Sequence, residues 1–414
     1  MSVDPHPDNQ RVVPQSVDDL SSFLAENAAD QRLALYPVGG GTALNYGYPP
    51  AAGGVTVSSL KLNQVVEYPV RDMTITVEAG INIDELSKLL AQNRQQLPLD
   101  VALSHQATAG GVAATDRSGP RRFGYGSLRD YLIGVAAVDA GGRLFHGGGR
   151  VVKNVAGYDV CKMLIGSLGT LGFITQLTFK LKPLAETSTL LWVSCNLFAE
   201  IDDILARLMT SATRPVVLEV LNPHAARQVT AAAGVELATQ FSTLVIGVEG
   251  AERECRWQIE TLQNELAVLN LEHVETVPEA KTSDCLAALI EYTNSGESAL
   301  TFRANLLPSQ TINLIEQATA AGVAIQSHAG NGIVIGHLPN DAATLDAASE
   351  ILTPLREFTR RHRGNLVILN CDDEWKQHLP LFGDAEPSWA PMQRLKSTLD
   401  PHNLLNRGRF IDRC

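Results

Sequence analysis

The residues with most chemical content in this chain are glycines. Residues 37–45 read Pro37-Val38-Gly39-Gly40-Gly41-Thr42-Ala43-Leu44-Asn45, directly after the apolar run Leu33-Ala34-Leu35-Tyr36. Successive glycines accept positive φ and leave no Cβ between backbone and ligand. A run of such amides turns its N–H groups into a concavity suited to anions and phosphates. Thr42 adds a hydroxyl donor. A second loop, Thr108-Ala109-Gly110-Gly111 through Thr115, and a third with Gly166, Gly169, Thr170 and Gly172, follow before residue 175. The first loop is not a P-loop, since no Gly-Lys-Ser/Thr follows, and Leu44 stands where a dinucleotide fingerprint needs its third glycine. A plain turn needs one or two glycines. Three such loops, each beside a strand, suit a long ligand whose diphosphate, polyol chain and ring system touch backbone at several points.

Other side chains carry weaker signals. Lys153, Asn154 and Tyr158 offer a cation, an amide and a phenol within six residues. A cation and a phenol can bind a carboxylate by charge-assisted hydrogen bonds; a solvated lysine beside a half-buried tyrosine explains them equally well. The six cysteines lie far apart, with no Cys-x-x-Cys and no His at zinc spacing. Iron–sulfur ligation within the chain is not expected, and the thiols read as free.

The elements that must position these groups alternate strand and helix. Ser16 to Asp19 resembles a capping box ahead of a helix with Leu20, Phe23 and Leu24 on one face. Strands are expected at 33–36, near 55–57, at 74–78 and over 173–182, with a hairpin from 133–138 and 143–146 around Asp139-Ala140-Gly141-Gly142. Asn82 with Glu85 caps a further helix. From Pro183 glycine thins out. Strands at 190–195, 216–221, 244–248, 300–306, around 323–337 and at 366–369 alternate with helices near 198–210, 253–269, 309–321 and 343–361. That order predicts an antiparallel sheet covered by helices, and an α+β class overall.

With 414 residues the chain exceeds one core of ordinary size. Its net charge of −12 argues against a nucleic-acid or anionic-membrane surface, although Arg117, Arg121 and Arg122 form a local basic cluster. No signal peptide is visible and no apolar run approaches the ~20 residues of a membrane helix. The expected compartment is the cytoplasm.

The order Pro37 to Thr42, Val77-Glu78-Ala79-Gly80-Ile81, Thr108 to Gly111 and Gly166 to Gly172 resembles the FAD-linked oxidase family of vanillyl-alcohol-oxidase (PCMH) type. Within it the chain resembles the subunit-E-like FAD-binding subunits of bacterial glycolate oxidase. Three stretches carry that likeness: Gly119-Pro120-Arg121-Arg122 with Gly126 to Asp130, Val152 to Asp159, and Leu395-Lys396 through Gly408-Arg409-Phe410. The resemblance is strong over 30–184, good over 391–410 and only one of element order over 185–390. It implies a PCMH-type FAD-binding domain of two α+β subdomains at 1–184, an antiparallel-sheet-and-helix cap or substrate domain at 185–390 over the isoalloxazine ring, and a segment 391–414 returning to the FAD domain.

By position, Gly39, Gly40, Gly41 and Thr42 would take the diphosphate. Thr108, Gly110, Gly111, Thr115 and Gly119 would line the flavin and its ribityl chain, with Gly172 and Ile174 on the nucleotide side. The glycine loop has neither His nor Cys, and His105 lies outside the usual attachment position, so non-covalent FAD is expected. Lys153 and Tyr158 fall in a Lys-x-x-x-Gly-Tyr-Asp segment like that of relatives oxidising 2-hydroxy acids, and Arg303 is a further candidate for a substrate carboxylate.

One departure matters. The pattern His-x-Gly-Asp-Gly-Asn-x-His becomes His328-Ala329-Gly330-Asn331-Gly332-Ile333-Val334-Ile335, and 364–370 offers no Glu-His pair. Divalent cations want imidazole and carboxylate, so no metal site is expected, and the obvious general base goes with it. His328 then reads as a hydrogen-bonded structural residue. The implied activity is 2-hydroxy-acid oxidation, glycolate to glyoxylate, in a complex with a second FAD subunit and an iron–sulfur subunit. No nucleic acid and no direct membrane span are expected; attachment to the inner membrane would run through partners. An autonomous FAD-dependent dehydrogenase and a non-catalytic scaffold with the FAD fold stand as alternatives.

Overall fold

The computed structural model describes residues 10–149, 159–269, 271, 273–294 and 298–413. The chain divides into two compact units. The first comprises Met1–Ser118, Ser127–Leu184 and Ala385–Cys414; the second comprises Gly119–Gly126 and Ala185–Asp384.

The first unit is built on two larger sheets and one short antiparallel pair, Gln95–Gln96 with Lys182–Pro183. Gln10–Val12, Gly54–Ser58 and Ala34–Val38 form a parallel three-stranded sheet with Gly54–Ser58 in the middle. Its core joins Leu35, Val55 and Val57 to Leu20 and Leu24 of the Val17–Ala29 helix. That helix starts where the sequence caps it, with Ser16 Oγ accepting from the Asp19 amide at 3.1 Å. The second sheet is antiparallel, ordered Val65–Glu67, Thr74–Glu78, Phe173–Lys180, Leu132–Val138 and Leu144–Gly148. Phe173–Lys180 is central and buried on both faces, which explains why its apolar residues spill beyond strict alternation. Asn82 Oδ1 caps Ile83–Ala91 by accepting from the Asp84 and Glu85 amides.

The second unit is one eight-stranded sheet. Across it run His273–Thr276, Thr187–Cys195, Ser242–Gly250, Val217–Leu221, Ala324–His328, Ile333–His337, Leu300–Asn305 and Asn365–Cys371, every neighbouring pair antiparallel. The α+β class read from the sequence is the observed one. Two helices absent from that reading, Pro223–Ala233 and Glu279–Glu291, pack together on this sheet. The first hides its buried stripe in small residues, Ala225, Ala226 and Ala233 around Val229, which give little hydropathy contrast. Its punctuation was nonetheless present: Asn222 accepts from the Ala225 amide, Pro223 opens the helix, and Gly234 closes it in the left-handed region.

Candidate flavin cleft

A cleft opens within the first unit, bordered by the first two glycine loops and by the C-terminal segment. Strand Ala34–Val38 delivers loop 39–44 to one wall. The Ala109–Thr115 helix, residues 168–174, and Asn406 and Arg409 supply the others.

The glycines of the first loop are explained mainly by close approach to the second. A Cβ on Gly40 would lie 1.7 Å from the Gln106 carbonyl oxygen, and one on Gly39 would lie 2.1 Å from Thr108 Oγ1. Gly41 takes φ +76°, the left-handed region where side chains are disfavoured. So the loop needs glycine to lie against 106–108, and its backbone faces the cleft as a result. Among the described residues none accepts a hydrogen bond from the amides of Gly39, Gly40, Gly41 or Thr42. These residues are partly exposed, so water can satisfy the amides, and a run of them facing a cleft is a seat that a diphosphate could take.

The second loop is more internally committed. Thr108 caps its helix by accepting from the Gly111 amide at 3.3 Å, and Thr115 Oγ1 donates to the Gly111 carbonyl at 2.9 Å. The Gly110 amide donates to the Ala79 carbonyl at 2.7 Å, and a Cβ on Gly110 would meet Ala79 Cβ at 2.7 Å. Gly110 therefore serves close packing, whereas Gly111 has space around it apart from Thr108 Oγ1 at 3.2 Å.

The C-terminal segment completes the cleft. Leu35 donates to the Leu404 carbonyl at 2.7 Å and Asn406 to the Leu35 carbonyl at 2.8 Å. Arg409 Nη2 donates to the carbonyls of Leu44 and Tyr46 at 2.6 and 2.9 Å, which holds the far end of the glycine loop. Asn406 Nδ2 donates to the Leu168 carbonyl. A buried ion pair anchors the segment: Lys396 Nζ reaches Asp400 Oδ2 at 2.5 Å and donates to the carbonyls of Thr170 and Leu405, while Asp400 accepts from the amides of Leu404 and Leu405. Tyr36, also on the wall, donates to the Ala52 carbonyl at 2.6 Å, and burial pushes its phenol above the usual tyrosine range.

Gly39, Gly40, Gly41, Thr42, Thr108, Gly110, Gly111, Thr115, Gly172 and Ile174 are brought together on this one cleft. Gly119 is not among its lining residues and groups with the second unit. Lys153 and Tyr158 lie outside the described residues. Arg303 stands on the second unit's Leu300–Asn305 strand, its Nε buried without a hydrogen-bond partner among the described residues. His105 is exposed beside the Gln106 side-chain amide and does not line the cleft. Wall residues that the sequence reading did not single out as ligand contacts include Tyr36, Ser59, Ala79, Leu168, Asn406 and Arg409. Asn406 and Arg409 sit in a terminal stretch already marked by its likeness; nothing in their spacing tied them to a loop some 360 positions earlier.

Residues 9–148 match the FAD binding domain family, and residues 382–410 match the C-terminal domain of FAD linked oxidases. The chain is 27% identical over 421 residues to glycolate oxidase subunit GlcD of Bacillus subtilis (strain 168), covering 97% of this chain and 88% of that protein. It is 30% identical over 252 residues to the mitochondrial D-lactate dehydrogenase (cytochrome) of Arabidopsis thaliana, covering 61% of this chain and only 44% of that protein. Among solved structures, p-cresol methylhydroxylase with substrate bound superposes with a TM-score of 0.74 at 15% identity, over 96% of this chain and 88% of the other. The fold is therefore the PCMH type.

Proposed function

We propose that this chain, an FAD-linked oxidoreductase of the PCMH-type fold, is the FAD-binding subunit of a complex that oxidises glycolate or a related 2-hydroxy acid. The observation that carries the reading is the cradle of unclaimed amides at Gly39, Gly40, Gly41 and Thr42 on the cleft wall. These would hold the diphosphate without a covalent bond. Thr108, Gly111 and Thr115 would border the ribityl chain and ring, Gly110 would let the helix approach, and Gly172 and Ile174 would meet the nucleotide. The bound flavin supplies the two-electron chemistry; the protein supplies placement and electrostatics. In the second unit Arg303 is proposed to receive the substrate carboxylate, with Lys153 and Tyr158 as further contacts.

The substrate class is supported by the two relatives, one named for glycolate and one for D-lactate. Electron transfer to an iron–sulfur subunit, beside a second FAD subunit, is proposed because among the described residues no group of three or more His, Cys, Asp or Glu is placed to hold a metal. The five described thiols are buried, and burial pushes four of them, Cys161, Cys195, Cys285 and Cys371, up to about 11 or 12. Among the described residues no helix is long and apolar enough to cross a membrane. The test is to purify the chain alone and with its copurifying partners. Flavin absorbance in the chain, with dye reduction by glycolate or D-lactate only when partners are present, is the expected result. Turnover by the chain alone would favour an autonomous dehydrogenase, and a complex indifferent to loss of this flavin would favour a scaffold.

A further inference from the structure

Strand Gly54–Ser58 runs parallel to Ala34–Val38, and its last residue pairs with Val38, immediately before the glycine loop. Ser59 follows. Its amide donates to the Val38 carbonyl at 2.9 Å, and its carbonyl accepts from the Leu62 amide at 2.9 Å. Gly80 packs against it so closely that a Cβ there would lie 1.9 Å from the Ser59 carbonyl oxygen. These neighbours fix the backbone of Ser59, and its side chain reaches the start of the loop: a Cβ on Gly39 would lie 3.5 Å from Ser59 Oγ.

Ser59 lines the cleft and is only 5% exposed. The serine before it serves its own turn, with Ser58 Oγ accepting from the Leu60 amide at 3.4 Å. Ser59 Oγ makes no hydrogen bond among the described residues. Thr108, 2% exposed, meets Gly39 from the second loop, with Oγ1 2.1 Å from the same Cβ position. That oxygen accepts from the Gly111 amide, and among the described residues nothing accepts its own proton. Two nearly buried hydroxyls from separate segments therefore converge on Gly39, each with a proton to donate. Hydroxyls so deeply placed generally have a partner, and the cleft is where theirs would lie.

We propose that Ser59 is a further cofactor-binding residue, its hydroxyl donating to a non-bridging oxygen of the FAD diphosphate on loop 39–42, with the Thr108 hydroxyl as a second donor. The proposal rests on the reading that this cleft holds FAD. An ionised phosphate oxygen accepts hydrogen bonds and donates none, so O–H groups beside a run of N–H groups match it in kind, and bonds to such an oxygen are the stronger, charge-assisted sort. Because Val38, Leu62 and Gly80 hold Ser59 before any ligand arrives, little ordering cost is set against the bond. A serine kept for the fold alone would spend its hydroxyl on the chain, as Ser58 does.

Two measurements on the full-length chain test this. In FAD titrations of the apoprotein, Ser59→Ala should raise the dissociation constant by about 10–100-fold, the range for one hydrogen bond to a charged group. The same substitution should leave the thermal midpoint of the apoprotein unchanged, since no bond within the fold is lost. In ³¹P NMR of the FAD-loaded chain it should move one of the two phosphorus resonances and leave the other in place. Ser59→Cys, close in size but only a weak donor, should repeat the loss of affinity and covers the case in which Ser59→Ala does not fold. Wild-type affinity in either variant, phosphorus resonances that both stay in place, or a weakening matched by a fall in the apoprotein midpoint would overturn the inference alone. Failure of the wild-type chain to bind FAD would overturn the functional reading and this inference together.

Discussion

The first unit presents its candidate site through backbone, and the second through side chains. In the cleft the groups that matter are amides at 39–42, exposed by glycines that let two loops touch. In the second unit the polar groups are side chains brought together by strand pairing, Glu219 bonded to both His328 and Gln326, with Arg303 two strands further on. A backbone site tolerates almost any residue that leaves the path of the chain unchanged. A side-chain site tolerates backbone variation and fails when one functional group is lost. The two regions should therefore break in different ways.

The largest effect is expected where the cleft depends on one buried charge pair. Lys396→Met leaves the Asp400 carboxylate, itself 1% exposed, without its cation. Loss of about 3–5 kcal/mol is expected, read as a fall in the denaturant midpoint, with FAD retention falling as Asn406 and Arg409 lose their anchor. Unaltered stability would show that the terminal segment is held by its backbone bonds alone.

Glycine substitutions sharpen the backbone side of the contrast. Gly40→Ala sets a methyl against the Gln106 carbonyl, which cannot yield without moving the second loop. A cost of about 1–3 kcal/mol and colourless protein after dialysis are expected. Gly111→Ala, with only Thr108 Oγ1 at 3.2 Å, should leave melting nearly unchanged. Equal damage from both would mean that glycine matters here for reasons other than close approach.

Thr108→Val removes the hydroxyl that accepts from the Gly111 amide while keeping the shape of the side chain. A loss of about 1 kcal/mol is expected, measurable by thermal denaturation of the apoprotein with and without FAD.

The smallest effect reports on the second unit. His337 donates from Nε2 to the Tyr292 carbonyl at 2.8 Å and pairs through Nδ1 with Thr301 Oγ1. Burial holds its folded pKa below the ordinary histidine value. The unfolded chain then binds the proton more readily, so stability is full above about pH 6.5 and is lost as pH falls through the lower folded value. A denaturation series at descending pH should show this loss, and His337→Gln should flatten that slope.

What could be read from the sequence divides along the same line. The Ser16 cap, the Asn82 cap and the run of elements on both sides of Pro183 came from local patterns, and each forms through contacts a few residues long. The Pro223–Ala233 helix escaped because alanines carry its buried stripe, although its Asn222-Pro223 start and Gly234 stop were there to be seen.

By itself, the sequence determined that a glycine loop follows a buried strand and presents amides to a ligand, because that geometry depends on consecutive residues and the absence of Cβ atoms. Only the tertiary structure decided that Gly39 and Gly40 are required by Thr108 and Gln106, and that Arg409 holds the loop's far end. It alone also joined Glu219 to His328, 109 positions apart, and so supplied the buried hydrogen-bond partner of a histidine that the sequence reads as structural. Strand register creates that pair, and register is set by the packing of the whole sheet, to which no short stretch of chain has access.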